Sequence, residues 1–204
     1  MSRINRLLTL LSAPFLAGFT LLGHWWARSA SARYFLTSGN YPGYLLGGDA
    51  AAFCRYHAQR YCQGQGVDVG AGRTPFPGAR PVEDRFEENA YHLREPNQSL
   101  DYVFSSHCLE HLDRWPEALR EWRRVLKPGG VLYLYLPHPA CRMWRPTHLP
   151  YHVWQPEPDP LAAHLKTLGF EVVEVSLIPD AYLSFHLVAR LNHYYDMGNG
   201  DDRG

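Results

Sequence analysis

The sequence predicts an α/β domain with a mostly parallel sheet, because segments typical of strands alternate along the chain with segments typical of helices. The clearest strand is the apolar run at residues 131–136, and a shorter apolar run at residues 66–69 ends at a glycine. Two further strands, at residues 170–178 and 184–191, are separated by too few residues for a helical crossover. We therefore expect these last two strands to form a C-terminal antiparallel hairpin.

Proline, glycine and capping residues mark where the other elements begin and end. Pro116 lies in the first turn of one amphipathic segment, and Gly129 and Gly130 stop that segment. Signals of this kind place helices at residues 49–63, 115–126 and 159–168, and strands at residues 79–82 and 100–105. These elements complete the alternation on which the predicted fold class depends.

The composition indicates one domain with its own apolar core, since 46% of the 204 residues are hydrophobic. The formal net charge is zero, so the chain has no general basic field and we expect no nucleic-acid partner. The four cysteines form no CxxC pair, and we expect free thiols. The chain is divided into an apolar segment with a linker (1–48), the domain (49–197) and a polar tail (198–204) that we expect to be disordered.

The N-terminal segment contains an uncharged stretch, residues 7–27, that is about long enough to span a bilayer. Ser12, Pro14 and His24 weaken that interpretation, whereas Trp25 is typical of a membrane interface. Three alternatives stay open: peripheral or single-pass contact with a membrane, a helix that covers the functional site or forms a dimer contact, and a cleaved signal peptide.

A glycine-rich turn follows the short strand at residues 66–69. Asp68 precedes the end of the strand, and Gly70 and Gly72 follow it. Glycine lets a backbone approach a ligand closely, and open α/β sheets bind ligands at the carboxyl ends of their strands. Taken alone, a tight turn without a ligand explains this pattern equally well.

A second motif, further along the chain, makes the pattern specific. It contains LEHL at residues 109–112 and RVLKPGG at residues 124–130. Together with the glycine turn, these residues resemble the class I S-adenosylmethionine-dependent methyltransferases over about residues 64–178. The resemblance implies a cytoplasmic enzyme with a Rossmann-like three-layer α/β sandwich, a mostly parallel seven-stranded sheet and S-adenosylmethionine as methyl donor.

The resemblance also implies a set of cofactor contacts at or just after the carboxyl ends of strands. They are the methionine contacts Asp68, Gly70 and Gly72, the ribose contact Glu83 with Asp84 as the alternative, the adenine contacts Asn89 and Ala90, and the contacts beside the sulfonium and carboxylate, Ser106 and His107. Thr74 replaces the usual third glycine, and prolines at 75 and 77 shorten or remove the helix that begins there in the family. A protein that keeps the fold without methyl transfer is therefore the alternative.

Residues 107–111 also spell HxxEH, the signature of a zinc peptidase family. His107 lies at a predicted strand end, so these five residues need not form one helical turn, and the flanking residues match the methyltransferase pattern. We therefore expect no metal, and for Glu110 and His111 we favour roles in helix packing and capping.

The loop at residues 138–160 is long, and it is rich in histidine, tryptophan and proline, which is typical of a functional loop. We expect it to cover the methyl acceptor, a small molecule, a glycan or a lipid-linked intermediate. An oxygen acceptor needs a base near neutral pH, whereas a carbon or nitrogen acceptor need not. The candidate catalytic residues are His107, His148 and His152.

Overall fold

The computed structural model describes residues 50–72, 74–83, 87–147, 151–180 and 182–193. Within those ranges the chain forms three α-helices and six strands. In chain order they are α1 (Ala50–Ala58), β1 (Gly66–Val69), β2 (Arg80–Val82), β3 (Leu100–Ser106), α2 (Trp115–Val125), β4 (Leu126–Pro137), α3 (Pro158–Thr167), β5 (Phe170–Val175) and β6 (Ser184–Leu191). Short 3-10 helices lie at Leu109–His111 and Arg142–Trp144.

The six strands form one sheet in the order β2-β1-β3-β4-β6-β5. The first four strands in this order are parallel to one another, so their carboxyl ends meet at one edge, which we call the carboxyl edge. β6 lies between β4 and β5 and pairs antiparallel with both. Ser184, the first residue of β6, therefore pairs with Pro137, the last residue of β4, at the carboxyl edge.

The expected count of seven strands is wrong for the part of the chain that the structure describes. The difference lies between β2 and β3, where residues 87–99 form turns and one isolated bridge between Asn89 and His92. An additional parallel strand here would need two crossovers, each of about a dozen residues. Only residues 83–99 separate β2 from β3, and Glu88 within this connection is tied back to β2 by a two-bond ion pair with Arg80.

Two buried clusters cover the two faces of the sheet. On one face, α2 and α3 pack on aliphatic side chains such as Val103 and Leu134, and Trp122 of α2 is fully buried. On the other face, α1 packs on an aromatic cluster in which Phe104 stacks between Phe76, 4.5 Å away, and Tyr133, 5.5 Å away. The arrangement is therefore helix, sheet, helix, as the α/β prediction requires.

Two boundaries differ from those expected. α1 ends at Ala58 rather than at residue 63, because the chain turns there and the amides of Arg60 and Tyr61 donate to carbonyls only three residues back. β4 begins at Leu126 rather than at residue 131, since Leu126 already pairs with Leu100 of β3. The four cysteines are free, as expected.

No helix among the described residues is long and apolar enough to cross a membrane. Several expectations fall outside the described residues. They concern the segment 1–48 with its uncharged stretch 7–27, the tail 198–204, Asp84 and His148.

Candidate active site at the carboxyl edge

The glycine turn after β1 has a geometry that requires glycine at its first position. Gly70 has a φ of +78°, and a Cβ atom there would lie 2.5 Å from Cβ of Cys108. The Gly70 amide donates to the carbonyl of Val82 in β2, 2.9 Å away. Gly72 has a φ of +58°, and a Cβ atom there would meet nothing within 4 Å. The turn is therefore held close to β2 and β3 at one glycine and open at the other.

Asp68, in β1, binds the segment that follows this turn. Its side chain is 1% exposed, and its Oδ2 atom accepts a hydrogen bond of 2.7 Å from the Phe76 amide. Residues 74–79 form turns and bends and no helix, which confirms the effect expected from the prolines. Asp68 thus has a structural role in this structure, and its predicted contact with the cofactor stays a prediction.

Two polar atoms at the ends of the strands on either side of β1 are buried and have no hydrogen-bond partner in the described part of the chain. They are Oε1 of Glu83, directly after β2, and Oγ of Ser106, at the end of β3. The hydroxyl of the preceding Ser105 is used within the fold, where it donates to the Val69 carbonyl. Glu83 and Ser106 flank β1 and its glycine turn, so these residues fit the ribose hydroxyls and the methionine part of S-adenosylmethionine.

The two expected adenine contacts are tied to local structure. Oδ1 of Asn89 accepts a hydrogen bond from the Tyr91 amide, 2.9 Å away. The Ala90 carbonyl accepts one from Nε1 of Trp122, 2.8 Å away. Both residues lie in the connection that follows β2, the side of the sheet on which Glu83 ends, so a contact with adenine stays a prediction.

His107 begins the second half of the site. Its φ of +49° turns the chain sharply after β3, and its Nε2 atom lies 2.8 Å from Oγ of Ser184 at the start of β6. Burial, followed by the neighbouring His152 and His111, lowers the pKa of His107 to about 3. The ring is therefore neutral near pH 7 and is a weak proton acceptor.

Aromatic side chains surround His107. The rings of Trp144 and Tyr182 lie 5.0 and 5.3 Å from its ring, and Trp144 lies 5.9 Å from Tyr182. We call His107, Trp144, Tyr182 and Ser184 the acceptor wall, after the role that we propose for these residues below. The wall combines aromatic surface with a few polar atoms, the usual composition of a small-molecule site.

Glu110 is a residue whose importance the sequence analysis missed. Its side chain is fully buried, with Oε1 at 3.4 Å from Nδ1 of His107 and 3.9 Å from Nε2 of His111. Neither carboxylate oxygen has a hydrogen-bond partner among the described residues. Burial raises the pKa of Glu110 to about 8. The signal was present in the HxxEH spacing, which the short 3-10 helix at Leu109–His111 folds into one cluster without an α-helical turn.

The structure brings His152 to the same place. Its ring is 2% exposed, stacks on Trp144 and meets the His111 ring edge to face at 4.7 Å. Of the three candidate catalytic histidines, His107 and His152 are thus neighbours, and His148 lies outside the described residues. His138 points elsewhere, since its Nε2 atom lies 3.2 Å from the Leu177 carbonyl.

A second cluster of histidine and carboxylate forms a contrast to Glu110. Glu174 of β5 accepts hydrogen bonds from the Tyr61 hydroxyl at 2.5 Å and from Nε2 of His186 at 3.0 Å, and His57 lies 3.3 Å away. The hydrogen bond from Tyr61, followed by that from His186 and the charge of His57, lowers the pKa of Glu174 to about 2. Both oxygens of this carboxylate are partnered.

Comparison with known proteins agrees with this geometry. Residues 46–134 match the model of a family described as a methyltransferase domain. The ubiquinone/menaquinone biosynthesis C-methyltransferase UbiE of Bartonella tribocorum is 39% identical over 67 residues, which cover 33% of this chain and 26% of the relative. A Mycolicibacterium smegmatis protein named "Probable S-adenosylmethionine-dependent methyltransferase" is 33% identical over 110 residues, which cover 52% of this chain and 43% of the relative.

Among solved structures, a SAM-dependent methyltransferase from Archaeoglobus fulgidus aligns with a TM-score of 0.52 at 18% identity. The alignment covers 77% of this chain and 99% of that one, and at this identity it shows the shared Rossmann-like fold alone. The family model and the relatives support a class I methyltransferase with S-adenosylmethionine as the implied methyl donor. The chain spans about a quarter of the length of the UbiE relative.

Proposed function

We propose that this protein transfers a methyl group from S-adenosylmethionine to a small-molecule, glycan or lipid-linked acceptor. The observation that carries the proposal is the pair of buried, unpartnered polar atoms on Glu83 and Ser106, on either side of the open glycine turn. Such atoms cost stability unless a ligand supplies their partners. The ribose hydroxyls and the methionine part of the cofactor supply them.

The bound cofactor supplies an activated methyl group on a sulfonium, and the protein positions it. In the proposal, Glu83 holds the ribose, while Gly70 and Gly72 let the backbone approach the methionine part. Ser106 then lies between the cofactor and the acceptor wall, and His107 is both a cofactor contact and a member of the wall. Holding donor and acceptor in line contributes several kcal/mol of the barrier reduction, of the order reached by well-oriented intramolecular reactions.

The acceptor wall supports a flat, apolar acceptor, because aromatic rings and the neutral His107 form most of it. His107 is too weak a base to remove a proton near neutral pH, so for an oxygen acceptor the proposal keeps His152, or His148, as the base. A carbon or nitrogen acceptor need not use either. The UbiE relatives, named as C-methyltransferases, support a carbon acceptor.

Calorimetric titration of the full chain with S-adenosylmethionine tests the cofactor half of the proposal. We expect saturable binding, whereas absence of heat at millimolar cofactor would favour the non-catalytic alternative. Incubation of cell extract with cofactor labelled in its methyl group, followed by identification of the labelled product, tests the acceptor half. A product labelled only in nucleic acid would contradict it.

For the N-terminal stretch 7–27 we propose contact with the cytoplasmic face of a membrane, which would bring a lipid-linked acceptor to the site. Its lack of charge and the adjacent tryptophans support this. Fractionation of cells that express the full chain, and a variant beginning at Arg28, provides the test. We expect only the full chain in the membrane fraction, and two soluble, monodisperse proteins would refute the proposal.

A further inference from the structure

Three potential ligand atoms converge beside the acceptor wall. A carboxylate oxygen of Glu110 and one ring nitrogen each of His111 and His152 all lie within 4.8 Å of one another. We call these three residues the 110/111/152 cluster. Glu110 is fully buried and has no hydrogen-bond partner in the described part of the chain, which makes the cluster unlike an ordinary ion-pair network.

The outer contacts of both histidines fix which nitrogen faces the cluster. Nδ1 of His111 lies 2.9 Å from the Tyr151 carbonyl, and Nδ1 of His152 lies 2.6 Å from the Trp144 carbonyl. A carbonyl only accepts hydrogen bonds, so in a neutral ring Nδ1 carries the hydrogen and Nε2 keeps its lone pair. Nε2 of His111 lies 3.9 Å from Oε1 of Glu110, and Nε2 of His152 keeps its lone pair for a ligand. Histidines that bind metals typically donate their other nitrogen to a backbone carbonyl in this way.

His107 adds a third lone pair. The Ser184 hydroxyl donates its hydrogen to the Tyr182 carbonyl, 3.1 Å away, so it accepts the hydrogen of Nε2 of His107. Nδ1 of His107 is then unprotonated and faces Oε1 of Glu110 at 3.4 Å. When its carboxyl is ionised, Glu110 faces these lone pairs, and no side-chain donor among the described residues compensates its charge. A cation at this position removes that conflict.

We propose that Glu110, His111 and His152 bind a divalent transition-metal cation, best matched by Zn²⁺, with Nδ1 of His107 as a neighbouring fourth donor. Two or three imidazoles with one carboxylate form a donor set that suits zinc, whereas Mg²⁺ and Ca²⁺ prefer oxygen ligands. This inference goes beyond the proposed methyl transfer and does not rest on it. Nε2 of His152 can bind a metal or accept a proton but not both, so its role as the base for an oxygen acceptor applies to the metal-free protein.

The arrangement differs from that of a zinc peptidase. Glu110 is itself a ligand, and the second histidine comes from the loop at 151–154 rather than from the same helical turn. That loop is fixed by two hydrogen bonds, from the Val153 amide to the Glu110 carbonyl at 2.9 Å and from Nε1 of Trp154 to the Leu109 carbonyl at 2.8 Å. The side chain of His111 is 36% exposed, so the ion can enter from that side.

The test uses the full chain after treatment with a chelator, titrated with Co²⁺ and followed by its visible absorption, with Zn²⁺ as competitor. We expect one equivalent of Co²⁺ in a site of low coordination number, displaced by Zn²⁺. His111→Gln and His152→Gln should each weaken binding by more than about a hundredfold, because loss of an outer-shell partner alone costs about 10- to 100-fold. Glu110→Gln should do the same.

His92→Gln is the matched control, because His92 is exposed and lies outside the cluster. Thermal unfolding of each apo variant checks that it is folded, and the partly exposed His111 provides a variant that leaves the core intact. No Co²⁺ spectrum in the wild-type chain, or equal binding in all variants, would overturn the proposal. Loss of binding in His186→Gln but not in His152→Gln would place the ion at Glu174 and overturn it as well. Titration with S-adenosylmethionine is a separate measurement, so its failure leaves the metal result interpretable.

Discussion

Replacing Glu83 with alanine is the most direct test of the cofactor site, because this side chain has a buried oxygen that the described fold does not use. In the proposed complex the carboxylate accepts hydrogen bonds from two ribose hydroxyls. We assign the two hydrogen bonds together about 1.5–3 kcal/mol, and about 1.4 kcal/mol corresponds to a factor of ten in affinity. Glu83→Ala should therefore weaken binding of S-adenosylmethionine about ten- to a hundredfold in calorimetry.

The stability of the apo protein separates this effect from misfolding. Since Oε1 of Glu83 has no partner among the described residues, its removal should leave the unfolding temperature unchanged or raise it. Glu171→Ala, an exposed carboxylate on β5, is the matched control and should leave both affinity and stability unchanged. If Asp84→Ala weakened binding while Glu83→Ala did not, the assignment would be off by one residue. If neither did, the ribose is bound elsewhere and the reasoning fails.

Three further predictions concern the turn, the acid side of stability and the loop. Gly70→Ala should destabilise the fold by about 1–2 kcal/mol or more in thermal unfolding, because alanine is strained at positive φ and its Cβ atom would collide with Cys108. Gly72→Ala should cost less, because a Cβ atom there meets nothing within 4 Å. The pKa of Glu174 is lowered, chiefly by the hydrogen bond from Tyr61, so the ionised carboxylate stabilises the folded state. This contribution is fully present above about pH 4.5 and is lost as the pH falls toward about 2. Glu174→Gln should therefore reduce the loss of unfolding free energy at acid pH, measured by denaturant unfolding. His152→Ala should reduce the rate of methyl transfer to an oxygen acceptor about 10²–10⁴-fold with cofactor affinity unchanged, and an equal loss of cofactor binding would instead mark the loop as a structural lid.

The features that could be predicted from the sequence are those set by local patterns. β1 and its glycine turn follow from an apolar run that ends in Gly70, and the break in the usual helix follows from the prolines at 75 and 77. The seventh strand was predicted from the resemblance alone. A resemblance of motifs does not reveal that the connection between β2 and β3 is too short to contain another strand.

The features that the sequence analysis missed depend on contacts between distant segments. Glu110 and His152 become neighbours only because two hydrogen bonds dock the loop on the 3-10 helix, and no spacing in the sequence encodes that docking. The structural role of Asp68 was missed for the same reason. Its Oδ2 atom accepts a hydrogen bond from the Phe76 amide, which lies eight residues further along the chain, and its contact with the cofactor stays a prediction.

The antiparallel position of β6 has a consequence for how such a protein can change its substrate. A parallel strand contributes its last residue to the carboxyl edge, whereas β6 contributes its first, Ser184, together with the turn before it that carries Tyr182. The expected cofactor contacts lie on β1, β2 and β3, at the other end of the sheet order. Under the proposed function, a change at Tyr182 that keeps the contact between Ser184 and His107 would alter acceptor preference while the cofactor contacts on β1 and β2 stay in place, so the two properties can evolve separately.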